Sequence, residues 1–106
     1  MADYLLLYAG GKMPESEEEQ ATVMKAWDGW MHELGDSLKD GGNPFTPQAK
    51  TISSSGEVSD GAMGSAASGY SIITADSLDE ATEKAKGCPV LQGGANITVY
   101  ETFAVM

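Results

Sequence analysis

The sequence has no arginine, a single histidine (His32) and a single cysteine (Cys88), and aromatic residues fill only 8% of its 106 positions. Each shortage removes a class of function. Six lysines stand against 16 acids, a formal net charge of -10, so no basic face is present to displace counterions from phosphates. No nucleic-acid partner and no anionic membrane partner is therefore expected. One histidine cannot build a multi-histidine metal centre, and no metal or cofactor is predicted. One cysteine cannot close an intrachain disulfide. The start, Met1-Ala2-Asp3-Tyr4, lacks the basic region of a secretory signal, and no apolar run nears the ~20 residues of a membrane span. A cytoplasmic protein is expected.

What remains is enough for one core. Apolar residues make up 42% of the chain, and the length suits a single domain over residues 1–106. Residues 3–9 (DYLLLYA) read as a strand. Tyr4, Leu6 and Tyr8 fall on one face, Leu5, Leu7 and Ala9 on the other, so both faces are apolar and both should be covered. Ser16 stands three residues before Glu19, the capping-box spacing, and apolar residues then recur at Val23, Trp27, Trp30, Met31, Leu34 and Leu38. The pattern predicts a helix from about residue 16 to about 39, with Gly35 as an early stop.

The turn cluster 40–47 leads to a modest strand at 48–53, a hairpin turn at Gly56 and a return over 57–59. Residues 60–69 read as a loop and 69–74 as a strand. Ser77-x-x-Glu80 caps a short helix that ends at Gly87 and Pro89, and 96–105 reads as a last strand with Ile97, Val99, Phe103 and Val105 on one face. The order β-α-β-β-α-β is the ferredoxin-like arrangement, an α+β fold with an antiparallel sheet and both helices on one face. The other face keeps several Tyr, Leu and Ile side chains in water at ~1.5–3 kcal/mol each, which predicts a homodimer of two such faces.

Few groups carry chemistry. His32 has Asp28 four residues before it and Asp36 four after, a spacing that permits a general base held between carboxylates or a solvated surface histidine. Cys88 follows a helix C-terminus, where a thiolate is disfavoured, and reads as a buried thiol. Trp27 and Trp30 fit a core stripe before an aromatic pocket. Asp60 and Asn43 lie in turn segments that serve either a ligand site or chain reversal.

DGGNP at 40–44, VSDG at 58–61, SGYSI at 68–72, ADSLDEA at 75–81, AKGCP at 85–89 and VYETF at 99–103 together resemble the YCII-related (DGPF-domain) family. The resemblance covers nearly the whole chain. It implies a fold of the dimeric α+β barrel type, a His–acid pair in a cleft, and association with extracytoplasmic-function sigma factors. Residues 16–27 contain no histidine where the resemblance implies one, Met24 standing near that place, and Ala62-Met63 replaces the family's Pro-Phe.

The functional expectation is a YCII-like dimer with a small organic ligand in a cleft between sheet and helix, bordered by His32, Asn43, Asp60 and Tyr70. His32 and Asp28 are the catalytic candidates. The alternative is a non-catalytic interaction or regulatory module, linked to sigma-factor-dependent transcription.

Overall fold

A computed structural model describes residues 2–11, 15–46, 48–62 and 67–104. The elements are β1 (Ala2–Gly10), α1 (Glu17–Leu34), β2 (Leu38–Asp40), β3 (Lys50–Ile52), β4 (Val58–Asp60), β5 (Ala67–Ala75), α2 (Leu78–Ala85) and β6 (Ala95–Glu101). Four strands form an antiparallel sheet in the order β2-β5-β1-β6, and β3 and β4 form a separate two-stranded sheet. This is the ferredoxin-like α+β fold, with both helices on one side of the larger sheet.

The local signals for the helices are met. Ser16 Oγ accepts from the Glu19 N–H at 3.1 Å, and Glu19 Oε2 accepts from the Glu15 N–H at 3.1 Å. Ser77 Oγ caps α2 in the same way through the Glu80 N–H. Acidic side chains fill both first turns, where the helix dipole favours them.

Three expectations are corrected. The first helix ends at Leu34, not near 39, because Gly35 takes φ +54°, a left-handed value that breaks the ladder. Leu38 fits the i+4 step of a helix, but it opens β2 and pairs with Ile73. The second strand of the main sheet is therefore 38–40. The expected strand at 48–53 and its return form the separate β3–β4 ribbon, with Lys50, Thr51 and Ile52 opposite Asp60, Ser59 and Val58. The last strand stops at Glu101; Phe103 lies beyond it and is 83% exposed. Val105 and Met63 fall outside the described residues.

Tyr4, Leu6 and Tyr8 of β1, with Ser71, Ile73 and Ala75 of β5, face the helices and are buried. Trp30 and Leu34 of α1 and Ala81 and Ala85 of α2 close this core, with Cys88 beside them. On the opposite face the register sets two rows side by side: Tyr100, Leu5 and Ile72, then Thr98, Leu7 and Tyr70. Leu5, Leu7, Tyr70 and Ile72 are half-buried here: the Phe45 ring stacks on Tyr70 at 5.9 Å, and Asp3, Lys39 and Thr102 flank Leu5 and Ile72. At their edge Lys39 Nζ and Asp3 Oδ2 form an ion pair of 2.6 Å.

Candidate functional site

Where α1 packs on the sheet, a few polar groups lie within the apolar interior. The α1 stripe Val23, Trp27, Trp30, Leu34 runs outward from the core, and exposure rises along it. Trp30 and Leu34 are buried and Trp27 is half-buried, while every residue from Glu15 to Lys25 is exposed, Val23 by 36% and Met24 by 62%. The outer half of the helix thus extends beyond the packed sheet with no described residue over its apolar side.

Beneath α1 a chain of hydrogen bonds crosses the core. The Cys88 thiol donates to the Tyr8 hydroxyl at 3.6 Å, Tyr8 donates to Ser71 Oγ at 2.7 Å, and Ser71 donates to the Gly41 carbonyl at 2.8 Å. The Tyr8 ring meets the Trp27 ring edge-on at 5.9 Å, and Trp27 meets Trp30 at 5.6 Å. The Trp30 indole N–H donates to the Lys84 carbonyl at 3.0 Å, which fixes the aromatic cluster to α2. Burial pushes the Tyr8 hydroxyl well above the ordinary phenol range and pushes the Cys88 thiol up as well. Both groups are therefore neutral at physiological pH. They offer hydrogen bonds, not a base or a nucleophile.

The residues singled out from the sequence do not form one cluster. Asn43 and Tyr70 come together: Pro44 bridges to Gly69, Phe45 N–H donates to the Ser68 carbonyl at 2.8 Å, and the Asn43 carbonyl lies against Gly69. Tyr70, however, points to the open sheet face, opposite the one α1 covers. His32 is exposed on the last turns of α1. Neither Asp28 nor Asp36 forms an ion pair with it among the described residues. Its neighbour Met31 reaches Gly41, so the helix passes this corner while the imidazole is turned away. Asp60 is on the β3–β4 ribbon, paired with Lys50 Nζ at 2.9 Å, its side chain 91% exposed. One protomer thus gathers Asn43 and Tyr70 and holds His32 and Asp60 apart. Cys88 is buried, as its position after a helix end suggested. No cluster of potential metal ligands is found among the described residues.

The Tyr8–Ser71–Cys88 chain was missed in the sequence. Its one visible signal is Ser71, a polar residue at an inward position of a strand whose next inward residues are Ile73 and Ala75. Ser71→Ala leaves the Tyr8 hydroxyl and the Gly41 carbonyl without their partner. Urea unfolding should show a loss of about 1–3 kcal/mol, and Tyr8→Phe added to it should cost less than the two singles combined.

No protein-family model and no curated protein matches this sequence. Among solved structures, the chain is similar to 5-chloro-2-hydroxyhydroquinone dehydrochlorinase from Burkholderia phenoliruptrix AC1100, in complex with 2,5-dihydroxybenzoquinone. The TM-score is 0.54 at 19% identity, over 94% of this chain and 93% of that one. The likeness gives the fold alone, the α+β arrangement described above.

Proposed function

We propose that this chain is a cytoplasmic, YCII-related protein that works as a homodimer through its open sheet faces and binds a small, planar organic molecule between α1 and the sheet. The observation that supports this most is the aromatic cluster at the uncovered part of α1. Trp27 is half-buried and meets the Tyr8 ring edge-on, the neutral Tyr8 hydroxyl lies beneath it, and every residue from Glu15 to Lys25 is exposed. An apolar recess with a few convergent polar groups is the usual make-up of a ligand pocket. The structural neighbour's complex with a dihydroxyquinone supports the same ligand class. Asn43 and Tyr70 meet through the backbone at the β5 edge, while His32 and Asp60 stand apart from that corner in the lone protomer.

The test is a thermal-shift screen with small dihydroxyaromatic and quinone compounds, beginning with 2,5-dihydroxybenzoquinone. A ligand at ten times its Kd adds about 1.4 kcal/mol, a rise in Tm of about 5 °C or more for a domain of this size. Trp27→Ala should abolish the shift. A shift that survives both His32→Ala and Asp60→Ala removes those two residues from the site, and one that survives Trp27→Ala places the ligand elsewhere.

A second reading is a non-catalytic interaction module tied to sigma-factor-dependent transcription. The solvent-exposed His32, with no carboxylate paired to it among the described residues, favours it over acid–base catalysis. Recovery of a stoichiometric protein partner from native lysate, with no bound metabolite, selects this reading.

A further inference from the structure

The β3–β4 ribbon is the one element pair that has left the body of the fold. It packs substantially against no other element, and of its six strand residues only Thr51 is not fully exposed. Its register places Ile52 opposite Val58 and Lys50 opposite Asp60 on one face, with Thr51 and Ser59 on the other. Ile52 is 69% exposed and Val58 58%. An isolated two-stranded ribbon is at best marginally stable in water, and a paired β-branched couple held in solvent gains nothing from its position. The protomer is correspondingly spread out: the radius of gyration is 15.2 Å and the extents are 43 × 39 × 19 Å, against ~13 Å expected for a compact chain of this length.

Two further observations identify what the ribbon meets. The open face of the main sheet measures only ~450 Å² in projection, from strand spacing and rise, whereas a stable interface buries ~800 Å² on each partner. Side chains standing on the sheet raise its accessible area above that projection, and a ribbon laid beside the contact brings the total further toward a stable interface. Charge points the same way. At a net charge of -10 two copies repel unless their contact surfaces are neutral. The two ion pairs outside α2 and its end, Lys39–Asp3 and Lys50–Asp60, lie beside the open sheet rows and on the apolar face of the ribbon.

We infer that the β3–β4 ribbon is a dimer arm, which lays its Ile52–Val58 face on a second copy of this chain beside the sheet-to-sheet contact. The inference rests on the homodimer proposed above. The arm brings a neutral, apolar strip to the partner and is itself stabilised by that contact, so its folding and the association of the protomers are linked.

Sedimentation velocity over a dilution series, with wild type and Ile52→Ser/Val58→Ser, reads this directly. Wild type should be a dimer, and the double variant should keep its far-UV spectrum while its dissociation constant rises at least about tenfold. Amide exchange on the wild type gives a second readout that needs no variant. Residues 50–52 and 58–60 should be protected at high protein concentration and lose protection on dilution. A wild-type dimer with an unchanged constant in the double variant and concentration-independent exchange overturns the arm while leaving the sheet-face dimer standing. A wild type that stays monomeric throughout overturns both. Amides that remain unprotected in the pure dimer, yet become protected on adding lysate, assign the arm to another protein and also overturn the inference.

Discussion

Replacing Gly42 with alanine should destabilise the fold by about 3–5 kcal/mol, a large part of the total for a domain of this size. Gly42 holds φ +72°, which costs an L side chain roughly 1–2 kcal/mol by itself. The added Cβ would also fall inside the Tyr70 carbonyl group. That obstacle is backbone in the middle of β5 and cannot rotate away, so the 41–45 segment must detach from the sheet. Detachment breaks the Pro44–Gly69 bridge and the Ser71–Gly41 hydrogen bond together. Gly41→Ala is the control. Its φ is ordinary, and its Cβ would meet only the terminal methyl of Met31 at 3.1 Å, the flexible end of a side chain. Urea denaturation should show a loss of no more than about 1 kcal/mol for Gly41→Ala. Equal losses at the two positions would falsify the close-approach argument.

Leu5→Asp should convert the proposed dimer to monomers without unfolding them. Leu5 sits between Tyr100 and Ile72 in the middle of the open face, away from the core that Leu6 and Tyr8 enter. In a lone protomer the new carboxylate reaches water. In the dimer it is buried beside a lysine, Lys39, that Asp3 already pairs, once on each side of the two-fold axis, at a cost of at least about 3 kcal/mol per dimer. The dissociation constant should rise by about 100-fold or more, seen as a monomer boundary in sedimentation at concentrations where wild type is dimeric. Near-UV circular dichroism should keep the Trp27–Trp30 signal, because those rings lie on the other side of the sheet. A dimer of wild-type stability would show that the contact is made elsewhere.

The candidate site was legible only in part. His32 attracted attention as the lone imidazole between carboxylates at i±4, but helix spacing gives proximity along one face and says nothing about what the face looks onto. In the structure that face looks onto solvent. Asn43 and Tyr70 were each noticed separately, and what joins them is the pairing of Pro44 with Gly69, which no local pattern encodes. In the sequence Tyr8 is a strand aromatic, Ser71 a strand serine and Cys88 a lone thiol, with no local pattern that joins them. Their hydrogen bonds join residues 63 and 80 positions apart in the chain.

The sequence by itself determined the pieces whose causes are local. These are the capped starts of both helices, the hairpin around Gly56, and a first strand apolar on both faces. Each depends on groups within a few residues of one another, so spacing and side-chain type suffice. The tertiary structure decided which short strand completes the main sheet. Leu38–Asp40 wins that place over Lys50–Ile52 because Gly35 ends the helix early enough for Leu38 to reach Ile73 across the edge of β5. It also decided that a hydroxyl chain, not the histidine, lies against the aromatic cluster. Both outcomes depend on contacts between distant segments, which arise only once the sheet has closed and excluded water.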